Sequence, residues 1–169
     1  CIEDFRKKAK NRLPRMMFDF IDGAAGSEYA SIKNIETLDR IRLLPRVLVN
    51  VTERCLKKKF LGKEWGLPFG IAPMGMCDLA WPGTDKALAK ASVKYNIPLC
   101  LSIAASSSLE VTYDRAGVNS WFQLYVGESL EKAWEHVQRA KDYGYEVLVL
   151  TVDVPQVAKR IRDLRNGFK

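Results

Sequence analysis

The chain has 169 residues, 47% hydrophobic and 28% charged, which bounds it as a soluble globular protein able to bury a single core. Its net charge of +7 comes from lysines and arginines spread along the sequence and concentrated only at Lys57-Lys58-Lys59 and from Lys159 to Lys169; with no glycine-aromatic RNA motif, zinc spacing or basic helix, this favours solvated faces and a small anion site over a nucleic-acid surface. No apolar stretch approaches the roughly 20 residues of a membrane span, and no signal peptide precedes Cys1, so the default placement is cytoplasmic, with a peroxisomal or membrane-associated one left open by a C-terminus that could carry an address or an anchor.

Ile2 to Leu13 reads as an amphipathic helix with Ile2, Phe5, Ala9 and Leu13 along one side. Pro14 suits the first position of a second helix that runs to Ile21 and stops at Asp22-Gly23, and a third helix spans Ser27 to Leu38. Leu56 to Phe60 and Glu64 to Pro68 flank Leu61-Gly62-Lys63 as a hairpin. From Phe69 the pattern changes. Four short apolar runs, Phe69 to Ala72, Pro98 to Leu101, Trp121 to Phe122 and Val147 to Leu150, each stop at a polar or glycine-bearing turn. The third strand extends to Val126 and the fourth covers Tyr145 to Val152. Helices separate them: one started by Pro82 and Gly83 and running through Tyr95, one capped by Ser106 to Ser108 and ending near Gly117, and one from Ser129 to Tyr143 closed by Gly144.

Continuous apolar runs mark buried parallel strands, and their alternation with helices implies right-handed βαβ crossovers. Four such units are half of an eight-unit barrel, which takes roughly 250 residues. The expected fold class is therefore α/β: the N-terminal half of a (β/α)8 TIM barrel, preceded by short helices and a β-hairpin. Residues 1–55 form the N-terminal helical segment, and 56–169 the hairpin and the first four β/α units.

In a parallel barrel, ligands sit at the C-terminal ends of the strands. The groups there are Pro73-Met74-Gly75, Ser102, Gln123 with Tyr125, and Thr151 with Asp153. Ser102, Gln123 and Thr151 are neutral donors and acceptors suited to a flat, multi-acceptor cofactor. Asp153 reads either as a surface carboxylate or as the orienter of a histidine from elsewhere. Arg160 lies in a basic stretch, normally a solvated face, but a guanidinium also clamps a carboxylate through two parallel hydrogen bonds. The only histidine, His136, falls within a helix remote from any strand end, so no Ser-His or Cys-His pair can form at the rim. Cys1, Cys55, Cys77 and Cys100 lack metal-ligand spacing and read as reduced thiols.

At these residues the chain resembles the FMN-dependent 2-hydroxy acid oxidase and dehydrogenase family, which includes glycolate oxidase, lactate oxidase, mandelate dehydrogenase and the flavin domain of flavocytochrome b2. The matching strings are LPRMMFDFIDGAAG, RIRLLPRVLVNV, IAPMGM, WFQLYV, LTVDVP and RDLRNGF, in the family's order and across nearly the whole chain. The resemblance implies an enzyme that binds FMN and oxidises an L-2-hydroxy acid to a 2-keto acid, passing electrons to oxygen, a quinone or a cytochrome, and that self-associates, commonly as a tetramer. It implies that the backbone at Pro73, Met74 and Gly75 lies against the flavin, with Ser102 near its reactive nitrogen and Gln123 and Thr151 at its pyrimidine part. Tyr125 and Arg160 would meet the substrate, and Asp153 would hold a catalytic histidine that belongs to the family's second half. Phe20 stands where the family has a tyrosine that contacts the substrate carboxylate, which removes a hydrogen bond to a charged group worth roughly 1.5 to 3 kcal/mol. Met74 replaces a common small hydroxyl residue, and Ala104 leaves room for a larger substrate side chain. An alternative is a non-catalytic half-barrel that binds flavin or phosphate and serves as an assembly module.

Overall fold

The computed structural model describes residues 1–127, 129–153 and 156–168 and is mixed α/β. By packing, it forms two compact units, Arg54–Pro155 on one hand and Cys1–Glu53 with Gln156–Lys169 on the other.

In the Arg54–Pro155 unit the apolar runs pair as expected for a parallel sheet. Strands β3 (Leu99–Ser102), β4 (Ser120–Leu124) and β5 (Leu148–Leu150) lie side by side in sequence order, with Leu99 opposite Ser120 and Phe122 opposite Leu148. Helix α4 (Thr84–Tyr95) leads into β3, and α5 (Leu109–Ala116) and α6 (Leu130–Tyr143) connect the strands. The Ser108 and Ser129 hydroxyls each accept a backbone N–H in the first turn of α5 and α6, at 3.3 Å. Gly144 ends α6 at φ 106°, a conformation that suits glycine. Leu101, Leu109, Phe122, Leu124, Ala133, Ala140 and Tyr145 form the main core, and Ala89, Leu99 and Ala116 a second one. Since strand residues alternate, Cys100, Ser102 and Gln123 point to the opposite face of the sheet.

The run at Phe69 to Ala72 is reduced to a single parallel bridge between Ile71 and Leu99. Ile71 N–H donates to the Pro98 carbonyl at 2.8 Å, and its own carbonyl accepts from Cys100 at 3.0 Å. Pro68 and Pro73 bracket the segment and have no N–H to give. Strand β5 is shorter than Tyr145 to Val152 because Tyr145 closes α6: its N–H reaches the Ala140 carbonyl at 3.0 Å, and its hydroxyl donates to the Leu109 carbonyl at 2.7 Å. Strand β4 likewise ends at Leu124, not Val126.

The hairpin pairs β1 (Lys58–Phe60) with β2 (Lys63–Trp65), Phe60 opposite Lys63. Leu61 and Gly62, at φ 47° and 77°, make a two-residue turn, so Lys63 belongs to the strand and not to the loop. Trp65 is fully buried and stacks on Phe60 at 5.6 Å and edge-on to Trp121 at 5.9 Å. The Lys63 ammonium donates to the Val118 carbonyl at 3.0 Å and to Asn119 Oδ1 at 2.9 Å.

The second unit contains α1 (Ile2–Arg12), α2 (Arg15–Asp22), α3 (Tyr29–Asp39) and α7 (Ile161–Arg165). Pro14 caps α2 from outside instead of occupying its first turn: at ψ 142° it is extended, and its carbonyl accepts from Phe18 at 3.0 Å. Helix α3 starts two residues later than Ser27 because Glu28 adopts φ 64°. Among the described residues of this unit only Phe18 and Asp163 are buried.

Candidate functional site

Ser102 ends β3, Gln123 lies opposite it on β4, and Thr151 follows β5 directly. This register joins their side chains. Ser102 Oγ donates to Gln123 Oε1 at 2.9 Å, Gln123 Nε2 donates to Thr151 Oγ1 at 2.9 Å, and the Ala104 N–H donates to Ser102 Oγ at 3.1 Å. Gln123 is only 1% exposed, so these two partners fix which way its amide points. After these bonds, one Gln123 N–H and the Thr151 hydroxyl proton remain as donors, and Ser102 keeps a lone pair. A planar ligand with several acceptors and one donor matches that set.

The turn at Pro73, Met74 and Gly75 is exposed and runs beside the same strand end. Met76 N–H donates to the Ala104 carbonyl at 2.9 Å, and a Cβ on Gly75 would sit 3.2 Å from Ala104 Cβ. Met74 lines a small cavity with Cys77, Cys100 and Ser102. Tyr125 follows Gln123 by two residues and is 44% exposed, with no partner for its hydroxyl among the described residues. Asp153 is exposed and lies beyond the end of β5 at Leu150, so strand alternation does not set its direction relative to Thr151. Val154 and Pro155, which complete the LTVDVP string, lie outside the described residues.

His136 is less isolated than its sequence position suggests, because it lines a cavity with Ser102, Ile103, Ser107 and Arg139. Arg139 is paired with Glu110 at 2.6 Å, and that hydrogen bond holds the Glu110 carboxyl down at about 2. Burial pushes the Cys77 and Cys100 thiols up to about 11, so both keep their protons at neutral pH and neither is a ready nucleophile. Among the described residues no group of three or more His, Cys, Asp or Glu side chains could hold a metal.

In the helical unit, the structure brings Phe20 and Arg160 together. The Arg160 guanidinium lies 5.0 Å above the Phe20 ring, whose other neighbour is the Phe168 ring at 5.0 Å. Arg160 Nη2 donates to the carbonyls of Phe20 and of Gly23, the latter at 2.8 Å, and Nε lies 3.1 Å from Asp163 Oδ2. Nε is buried and makes no hydrogen bond despite that approach, and Nη1 has no partner among the described residues. The guanidinium as it stands therefore presents one nitrogen, not the two-pronged fork expected from sequence. Sequence reasoning missed Asp163 and Arg162 entirely. An Arg-x-x-Asp spacing on α7 could have signalled Asp163, but the partners of Arg162, Asp22 and Glu28, are 140 and 134 residues away.

A family model described as FMN-dependent dehydrogenase matches residues 9–169. The chain is 40% identical over 168 residues to (S)-mandelate dehydrogenase from Pseudomonas putida, covering 99% of this chain and 42% of that protein. It is 34% identical over 167 residues to 4-hydroxymandelate oxidase from Amycolatopsis orientalis, covering 99% of this chain and 46% of the other. A crystal structure of a soluble mutant of the membrane-associated (S)-mandelate dehydrogenase from Pseudomonas putida superposes with a TM-score of 0.94 at 41% identity, over 99% of this chain and 48% of that one. The chain thus spans less than half the length of these relatives.

Proposed function

Because the chain belongs to the FMN-dependent dehydrogenase family, we propose that the whole protein binds FMN and oxidises an L-2-hydroxy acid to the 2-keto acid, and that these 169 residues are the first half of its (β/α)8 barrel. The observation that carries this is the buried Ser102–Gln123–Thr151 chain of hydrogen bonds at three successive strand ends. Its donor set fits a flavin ring: an amide and a hydroxyl for the carbonyl-rich edge, and a serine oxygen farther along. The turn at Pro73 to Gly75 offers exposed backbone for the ring's face. FMN, when bound, supplies the two-electron acceptor.

In this proposal the acceptor that FMN supplies would take the electron pair of the substrate's C2–H bond, while Asp153 would orient a histidine base outside these 169 residues that takes the hydroxyl proton. Tyr125 and Arg160 take up the substrate's polar end, Arg160 through Nη1. The relatives named for mandelate and 4-hydroxymandelate make aryl-substituted acids the first substrates to try, and Ala104 offers a small residue for a bulky side chain. Oxygen, a quinone or a cytochrome is the final acceptor. Self-association as a homotetramer and a cytoplasmic location belong to the same proposal; no helix of the described residues is long and apolar enough to cross a membrane.

The test is an absorbance scan of the natively purified whole protein, followed by anaerobic addition of mandelate or lactate. Flavin bands that bleach with one of these acids are the expected result. Absence of bound flavin overturns the proposal. The assembly-module alternative has no comparable support, since the matched proteins are named as dehydrogenases and oxidases.

A further inference from the structure

Within the helical unit, α7 is clasped to the end of α2 by ion pairs, and we infer that Arg162, bridging Asp22 and Glu28, is a positioning residue that aims Arg160. The inference rests on the proposed role of Arg160 in binding the substrate carboxylate. Arg160 has little freedom of its own. Nη2 is spent on two carbonyls at the end of α2, the buried Nε faces Asp163 Oδ2 at 3.1 Å without a hydrogen bond, and the guanidinium plane lies on the Phe20 ring. Every one of those partners except Asp163 belongs to α2 or the residue that caps it, so the direction of Nη1 follows from how α7 sits against α2.

Arg162 sets that placement. Nη1 donates to Asp22 Oδ2 at 2.8 Å, and Nη2 donates to Glu28 Oε2 at 2.5 Å. Both carboxylates are themselves anchored: Asp22 accepts from Arg6 Nε at 2.5 Å and Nη2 at 3.0 Å, and Glu28 Oε1 accepts from the Ala24 N–H at 3.3 Å. Two further ties run from Asn166 Nδ2 to Asp19 Oδ2 at 2.7 Å and from the Gly26 N–H to the Lys159 carbonyl at 2.9 Å, the latter fixing the backbone at Arg160 but not the direction of its side chain. A planar guanidinium can bridge two carboxylates at fixed separation, whereas a lysine delivers a single point charge. With only Phe18 and Asp163 buried in this unit, apolar packing supplies little that could replace the bridge.

Two readouts test this. In the whole protein, the Nε–Hε resonance of Arg160 is followed by arginine-selective nitrogen NMR, with that of Arg139 in the other unit as the control for folding. Arg162→Gln is expected to broaden or shift the Arg160 signal and leave Arg139 in place; the milder Glu28→Gln, which removes one arm of the bridge, is expected to act in the same direction. In the whole protein, Arg162→Gln is expected to raise KM for the 2-hydroxy acid about tenfold or more while kcat changes by less than about threefold, with Arg162→Lys in between. An Arg160 signal unchanged in both Gln variants overturns the inference, as does a loss confined to kcat. If the Arg160 signal responds but the unmodified whole protein oxidises no 2-hydroxy acid, the positioning stands and the proposed function falls.

Discussion

In the strand unit, Gln123 is 1% exposed and bonded to two neutral hydroxyls. In the helical unit, Arg160 and Arg162 sit among Asp19, Asp22, Glu28 and Asp163, whose side chains are between 10% and 24% exposed. One set of candidate residues is thus fixed by burial and register, the other by charge. A neutral set contains no group that titrates near neutral pH and suits a large neutral ring; a charged set suits an anion and is open to salt and acid.

Removing the amide should have the largest effect. Gln123→Leu keeps the volume near that of glutamine but leaves the Ser102 and Thr151 hydroxyls without their shared partner, at a cost of about 1–3 kcal/mol for the buried Ser102 hydroxyl and less for the half-buried Thr151. Urea unfolding of the strand unit should shift accordingly, and the whole protein should retain far less flavin on purification. Unchanged flavin content would show that the hydrogen-bonded chain does not carry the cofactor.

Gly70→Ala comes next. A Cβ there would lie 2.5 Å from Pro98 Cγ and 2.8 Å from the Pro98 carbonyl oxygen, and the neighbour is backbone and a proline ring, neither of which yields easily. Overpacking of this kind costs about 1–3 kcal/mol. The two hydrogen bonds at Ile71 should be lost first, seen as faster amide exchange at Ile71 and Cys100 with β4 and β5 unaffected.

The strand unit was readable because its signals are local. Pro98 to Leu101 differs from β3 by one residue, Ser108 and Ser129 cap the helices they precede, and Gly144 stops α6, each a property of a few adjacent residues. Convergence of Ser102, Gln123 and Thr151 followed from strand order alone, since parallel neighbours in register bring successive strand ends together. The run at Phe69 to Ala72 misled because apolar content does not reveal that flanking prolines lack donors. In the helical unit the informative contacts span 134 to 147 residues, and a basic stretch such as Lys159 to Arg162 reads the same whether its arginines face water or four carboxylates. Guanidinium chemistry made Arg160 one candidate among several basic residues and the family resemblance singled it out, but its spent Nη2 could not be read from sequence at all.

Acid should separate the units. Arg6, bonded through its guanidinium, outweighs burial and with Arg162 holds the Asp22 carboxyl at about 2, below the ordinary value of about 3.9. Asp19 and Glu28 are lowered as well, by Asn166 and by Arg162 respectively as the leading cause. A carboxyl with a depressed folded-state value contributes stability that is complete above its unfolded value and is lost as pH falls through the folded one. Amide protection in α7 should therefore hold down to about pH 4 and fail toward pH 2, while the Ser102–Gln123–Thr151 bonds themselves contain nothing to protonate. Failure of α7 near neutral pH would contradict the ion-pair account.

Salt gives the smallest effect and the cleanest discrimination. At 1 M ionic strength the screening length falls to about 3 Å, so partly exposed pairs lose most of their attraction while short bonds to buried neutral groups do not. Pairs at this level of exposure are worth about 0.2–1 kcal/mol each, which corresponds to amide exchange in α7 accelerating by a factor of about 1.4 to 5 for each pair lost. Arg162–Asp22, Arg162–Glu28 and Arg6–Asp22 act on the same joint, so their losses should compound. Exchange at Leu101 and Phe122 should stay constant over the same range, because both residues are buried and their ladder bonds are closed off from ions. Equal acceleration in β3, β4 and α7 would mean that charge and burial are not divided between the units in this way.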